Sequence, residues 1–266
     1  MKVVLITGVS SGLGESIAKY LSCKGYKVYG LCRSDYKPNY DVNIIKADIA
    51  DIQSVKTAIT SIFEKEKKID IVINNAGMGY GGPIECFTEE EVKYQFDVNL
   101  FGVFRVCKEV IPLMRENKTG LIINIGSIGG LIGLPYQGFY SATKFAIQGF
   151  SEALYQELKP YNIKVVVVNP GDFSTNFTAN RKIVQNAYDS PYRKQFMKTL
   201  SIIEKDEKKG LKPEYLAKKI YKIIKTKNPN FIYNVATFDQ KLAVFLKFIL
   251  PSKMFLKIIS SHYGIK

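Results

Sequence analysis

Tyr140 and Lys144 stand four residues apart in "GFYSATKFAIQGF", residues 138 to 150. Ala142, Phe145, Ala146, Ile147, Phe150, Ala153 and Leu154 give that stretch a helical apolar face. Four-residue spacing on a helix sets two side chains one above the other, so a phenol and an ammonium can meet. A phenol has an ordinary pKa near ~10, and a cation beside it favours the phenolate. The pair therefore has the makings of an acid/base couple, with an ordinary surface tyrosine and lysine as the plainer alternative.

The second candidate is "TGVSSGLG", Thr7 to Gly14, placed directly after the first apolar run. Glycines at positions 8, 12 and 14 permit a tight turn and close approach of backbone to a pyrophosphate. The N–H groups and dipole of the following helix, which continues "ESIAKYLSCKG", would meet the phosphate charge. A strand before, a helix after and a second strand at Lys27 to Cys32 supply the context a glycine triplet needs. Ser10, Ser11 and Leu13 fall inside the same loop. At the end of the second strand an acid would accept the ribose hydroxyls of NAD, whereas a cation accommodates the 2′-phosphate of NADP. The chain reads "GLCRSD" there, with Arg33 and no acid before Asp35. A guanidinium grips phosphate bidentately, so Arg33 predicts NADP(H). Its alternative is a solvated arginine at a strand end.

Elements that hold these residues follow from patterning. Strands are expected at "KVVLIT", "KVYGLC", "NIIKA", "DIVIN", "GLIINIGS", "IKVVVVNP" and "FIYN". Helices are expected near residues 12 to 24, 51 to 66, 88 to 115, 137 to 160 and 213 to 226. Continuously apolar strands separated by helices indicate an α/β fold, a Rossmann-type doubly wound seven-stranded parallel sheet in a three-layer αβα sandwich with a helical C-terminal extension. Ligands of such sheets bind outside the carboxyl ends of the strands, where the candidates above fall.

The 266 residues contain no Pro/Gly/Ser-rich linker, repeat or low-complexity tract, so residues 1 to 235 are expected to form one catalytic domain. Within it 172 to 212 is a substrate-binding insertion, and 236 to 266 a tail. No apolar run reaches the ~18 residues needed to span a bilayer, and the N-terminal run is too short for a signal peptide; a soluble, cytoplasmic protein is expected. Cys23, Cys32, Cys86 and Cys107 form no CxxC pair and are expected to be buried free thiols, with no metal site. His262, the only histidine, is expected to be solvated. The net charge of +14 comes from lysines scattered among Glu and Ile, without a basic cluster interleaved with aromatics. Nucleic-acid binding is not expected.

The motifs together resemble the short-chain dehydrogenase/reductase family over the first 235 residues. They run in order: "TGVSSGLG"; Asp48 in "KADI"; "NNAG" at 74 to 77; "VNLFG" with Asn99; "IGS" ending at Ser127; Tyr140-Ser-Ala-Thr-Lys144; and "NPG" at 169 to 171 followed by Thr175. Ser127 precedes Tyr140 by thirteen positions, the family's usual separation. The likeness is to NADP-preferring members such as 17β-hydroxysteroid and retinol dehydrogenase-like enzymes. It implies an oxidoreductase that interconverts a carbonyl and an alcohol, with Tyr140 as general acid/base. Ser127 would orient the substrate oxygen, Lys144 would also hold the nicotinamide ribose, and Asn99 would anchor a water linking the lysine to solvent or, read plainly, kink its helix. Asp48 and Ile49 resemble the pair at the adenine, and Asn75, Ala76 and Gly77 the turn beside the adenine ribose. Pro170, Gly171 and Thr175 resemble the loop bordering the carboxamide.

Residues Met78 to Ile84, Ile128 to Phe139 and the insertion are expected to wall the substrate. The insertion carries Phe173, Phe177, Ile183, Tyr188, Tyr192, Phe196, Met197, Leu200, Ile202 and Ile203, which suits a small lipophilic carbonyl or alcohol. The tail is basic and apolar. It predicts either a lid packed on the domain, the favoured use, or a helix making peripheral contact with a membrane. Apolar surface over Phe96 to Val110 predicts a homodimer or homotetramer. Two other classes stay open: a non-catalytic NADP(H)-binding regulator of the same fold, and a membrane-surface protein.

Overall fold

In the computed structural model, which describes residues 1–175 and 180–265, the strands β1 (Val3–Thr7), β2 (Lys27–Cys32), β3 (Asn43–Lys46), β4 (Ile71–Asn74), β6 (Gly120–Ile125), β7 (Ile163–Pro170) and β9 (Ile232–Val235) form one parallel sheet. Its order is β3-β2-β1-β4-β6-β7-β9. The chain winds outward from β1 to β3, then crosses back to lay β4 against the other side of β1. That reversal opens a crevice above the carboxyl ends of β1 and β4. A separate ribbon pairs β5 (Tyr80–Gly81) with β8 (Lys182–Ile183).

β1, β4 and β6 are buried along their whole length, as strands covered on both faces must be. Alternation divides their side chains between two cores. Val3 and Leu5 join α2 (Ile52–Glu66), α4 (Gly102–Glu116) and α5 (Gly138–Leu158) through Val55, Ile59, Val106, Val110 and Ile147. Val4 and Ile6 join α1 (Gly12–Ser22) and α7 (Pro213–Lys225) through Ile17, Leu21, Leu216 and Ile220. Both layers converge on the β1–α1 turn.

Three local departures from the sequence reading have physical causes. The helix expected over 88 to 115 is interrupted: α3 (Glu89–Phe96) passes through a π-turn at Asp97–Phe101 before α4. Gly102 lies against Ile49, where a Cβ would come 2.7 Å from Ile49 Cδ1, so α4 packs closely at its first residue. The insertion contains a regular helix, α6 (Arg193–Lys208), because Phe196, Thr199, Leu200 and Ile203 recur at helical spacing and are buried. Thus Phe196 and Leu200 serve a satellite core more than a pocket wall and Ile203 is buried with them on the same helix, while Phe177 lies outside the described residues. Cys23 is exposed where a buried thiol was expected, because it caps the C-terminus of α1 on the surface; Cys32, Cys86 and Cys107 are buried.

The tail folds as α8 (Phe238–Ile249) and α9 (Ser252–His262), separated at Pro251. Val244 and Phe255 pack with Ile128, Ile132 and Ala236, which ties the tail to the turn after β6. His262 is exposed but 3.2 Å from Asp206 Oδ2. Among the described residues, no helix is long and apolar enough to cross a membrane, and no group of three or more His, Cys, Asp or Glu could hold a metal ion.

Candidate active site

Ser127 leaves the end of β6, and Tyr140 and Lys144 occupy the first two turns of α5, so sheet edge and helix bring the three side chains together. The Ser127 hydroxyl accepts the Gly129 N–H at 2.9 Å and hydrogen-bonds Tyr140. A Cβ at Gly129 would lie 3.3 Å from both Ser127 Oγ and Tyr140 Cε1. The glycine therefore leaves room for serine and tyrosine to face one another.

Lys144 is buried, and its Nζ donates to the Ile125 carbonyl at 2.9 Å while lying 5.9 Å from the centre of the Tyr140 ring. Burial lowers its ammonium to about 8. Burial also raises the Tyr140 phenol, against a lowering contribution from the Ser127 hydrogen bond; Glu207 and Asp172 add to the rise and Arg181 opposes it. The lowering of the phenol expected from its neighbouring ammonium is not seen: burial dominates and carries the phenol upward. In this state Tyr140 is a phenol with a proton to give at neutral pH.

Asn99 occupies the π-turn. Its Oδ1 accepts the Met78 N–H at 2.8 Å, and its Nδ2 donates to the Met78 carbonyl at 2.9 Å and to Thr143 Oγ1 at 3.1 Å. Thr143 in turn donates to the Tyr140 carbonyl. Beside it, a Cβ at Gly77 would stand 3.3 Å from Asn99 Oδ1 and 3.7 Å from Lys144 Nζ. The asparagine joins the strand-end loop to the helix that carries Tyr140.

The glycine-rich loop has the geometry of an anion cradle. Gly8 and Gly12 take left-handed backbone with φ of 72° and 62°, which other residues rarely adopt. A Cβ on Gly14 would approach the Gly8 carbonyl oxygen to 2.1 Å, so only glycine allows the first turn of α1 to sit so near β1. Asn75 Nδ2 ties the loop by donating to the Thr7 and Gly8 carbonyls, and Thr7 Oγ1 accepts the N–H groups of Asn75 and Ala76. Ser11 stands at the N-cap without a side-chain capping bond, and half-buried Ser10 flanks it; Leu13 packs on the core below. These features fit a dinucleotide pyrophosphate.

Around this cradle, Arg33 is exposed just past β2 and donates to the Tyr94 hydroxyl at 2.7 Å, while Asp35 turns away to Lys46 at 3.0 Å. Asp48 Oδ1 accepts the Ala50 N–H, and Ile49 is buried with its carbonyl accepting from Arg105. Pro170 ends β7, and Gly171 lies under Gln240 of α8. Thr175 faces the glycine loop: a Cβ on Gly12 would be 3.6 Å from Thr175 Cβ.

Sequence reading missed a charged group beside Tyr140. Asp172, next after Gly171, accepts from Gln240 Nε2 at 2.6 Å. Arg181, the residue before β8, is buried and pairs through Nη2 with Glu207 of α6. Burial, then the Glu207 and Asp206 charges, raise the Asp172 carboxyl to about 6. The only sequence signal was an acid directly after "NPG".

The sequence profile described as short chain dehydrogenase matches residues 2–185. The chain belongs to that family. Among its relatives in the short chain dehydrogenase family is a protein named 3-ketodihydrosphingosine reductase from Bacteroides thetaiotaomicron, 44% identical over 266 residues, covering 100% of this chain and 99% of that protein. The NADPH-dependent 3-dehydrocapnine reductase of Ornithobacterium rhinotracheale is 29% identical, over 97% of this chain and 96% of its own. A solved short-chain dehydrogenase from Streptomyces avermitilis superposes with a TM-score of 0.80 at 26% identity, covering 99% of this chain and 96% of that one. The protein is an oxidoreductase of this family, built on its Rossmann-like αβα sheet.

Proposed function

We propose that this short chain dehydrogenase reduces the ketone of a long-chain lipophilic substrate to a secondary alcohol at the expense of NADPH, acting on a 3-keto compound such as 3-ketodihydrosphingosine. The observation that carries the reading is the Tyr140 phenol held against Ser127, with the buried Lys144 Nζ 5.9 Å from its ring centre. A bound nicotinamide dinucleotide supplies the hydride that reaches the carbonyl carbon. Tyr140 gives its proton to the carbonyl oxygen as the C=O bond becomes C–OH. Ser127 donates to the same oxygen and fixes its direction. Lys144 offsets the charge left on the phenolate, and Asn99 keeps the Met78 loop and α5 in register.

Support for NADPH comes from Arg33, exposed at the end of β2 with no acid ahead of it, and from the name of the capnine-type relative. The substrate reading draws on the name of the relative 44% identical over the whole chain. Following NADPH and NADH absorbance with 3-ketodihydrosphingosine tests both. Turnover with NADPH at least tenfold faster in kcat/KM than with NADH is expected; none with either overturns the reading.

The tail favours a lipid surface as the place where such a substrate is met. α8 and α9 bury Val244 and Phe255 against the domain yet leave Phe238, Phe245, Phe248, Met254 and Leu256 exposed, with Lys253 and Lys257 among them. That outer face has the composition of an interfacial helix pair.

A further inference from the structure

The group beside Tyr140 is built for a ligand. Arg181 has a side chain 2% exposed, its Nη2 is paired with Glu207, and its Nε and Nη1 have no hydrogen-bond partner among the described residues. Buried donors without acceptors are costly, so a fold keeps them where something else completes them. Asp172 adds a second carboxylate, held by Gln240 of α8 and reached by the charges of Glu207 and Asp206 from α6 and of Asp239 from α8. Tyr263, just after α9, closes the same group: burial foremost, then Asp172, Asp206 and Glu207 raise its phenol, while Arg181 opposes them. Glu207 pairs with the one guanidinium and Asp172 feels the Glu207 and Asp206 charges, leaving an excess of negative charge near the spare N–H donors. Asp172, Glu207 and Arg181 lie within electrostatic reach of the Tyr140 hydroxyl.

We propose that Asp172, Glu207 and Arg181 form a head-group pocket for a ketone carrying a protonated amine and a hydroxyl close to the reacting carbonyl. The ammonium lies against Asp172 and Glu207, and the hydroxyl oxygen accepts from Arg181 Nε or Nη1. Fixing both groups sets the carbonyl at Ser127 and Tyr140 and leaves the hydrocarbon chain to run out towards the tail. A neutral ketone leaves Asp172 without a cation and brings no ammonium into this acidic group, which a buried polar site rejects strongly. This inference rests on the ketone-reductase reading, and names the part of the substrate that this site selects.

Its test compares two long-chain substrates on the full-length protein with NADPH: a 2-amino-1-hydroxy-3-ketone and the same hydroxyketone without the amine. We expect kcat/KM to favour the amine at least tenfold in the wild type, and that ratio to fall at least tenfold in Asp172→Asn, which keeps the shape and the Gln240 contact. The kcat/KM for the amine should also decline as pH drops below about 6, with no such inflection in the variant. A ratio near one in the wild type, or one unchanged by Asp172→Asn, overturns the pocket. If neither ketone is reduced, the reductase reading fails and binding decides the pocket alone. Calorimetric titration with the 2-amino-1,3-diol supports it if affinity drops at least tenfold in Asp172→Asn, and overturns it if affinity is unchanged. Circular dichroism and melting of the variant verify that it is folded.

Discussion

Asn99 holds Met78 from both sides, accepting its N–H at 2.8 Å and donating to its carbonyl at 2.9 Å from within a π-turn. One buried amide thereby satisfies two backbone groups and, through Thr143, reaches the helix that carries Tyr140. Removing it leaves partners unpaired. Asn99→Ala should destabilise the protein by about 2–4 kcal/mol, the cost of two or three lost buried hydrogen bonds. Denaturant unfolding checks this, with activity expected to fall more than stability alone explains; a variant within 0.5 kcal/mol of the wild type in roughly additive bookkeeping contradicts the clamp.

Asp172 should cost stability where it serves binding. Its carboxyl rises from 3.8 to about 6 on folding, mainly through burial. A group with a raised folded pKa contributes its stability below the unfolded value, and that contribution is lost as pH rises through the folded one. The difference of about two units amounts to roughly 3 kcal/mol at most at neutral pH. Asp172→Asn should therefore melt higher than the wild type at pH 7 to 8, with the gap closing below about pH 4. Parallel melting curves across that range would remove the buried charge from the account.

Much of this architecture was legible because strands buried on both faces must be continuously apolar. "LIINI" and "VVVV" have few other readings. The glycine loop was legible for a similar reason, since Gly8, Gly12 and Gly14 each answer a backbone demand that no other residue meets. Asn99 was found by its motif, but its work was hidden: nothing local announces that its amide binds a loop twenty-one positions away. The Tyr140 and Lys144 spacing sets the ammonium 5.9 Å from the centre of the phenol ring, yet the balance between desolvation and charge depends on burial, which spacing does not carry. Arg181 and Glu207 are twenty-six positions apart on different elements, and no period links them.

Association should use α4 and α5. Phe101, Phe104 and Phe145 are exposed there, although Val98, Val103, Val106 and Val110 are buried in the core. Light scattering after size exclusion should give a dimer or tetramer, and Phe101→Asp with Phe104→Asp should shift it towards monomer. A wild-type monomer across micromolar concentrations refutes this.

The outer face of the tail should bind anionic vesicles. Co-sedimentation with phosphatidylglycerol vesicles is expected for the full chain, reduced by salt and by Phe245→Ser with Phe248→Ser, which are 60% and 74% exposed. Equal recovery in the pellet for wild type and variant would assign the tail to packing alone.

The central claim is that the Tyr140 phenol delivers the proton to the substrate oxygen. Tyr140→Phe keeps the ring and removes the hydroxyl, so a single-turnover measurement with saturating NADPH and ketone isolates that role. The account predicts a reduction rate at least a thousandfold lower, in line with a lost general acid of ~10²–10⁴, and a NADPH dissociation constant within about threefold of the wild type. A rate within tenfold of the wild type would contradict it.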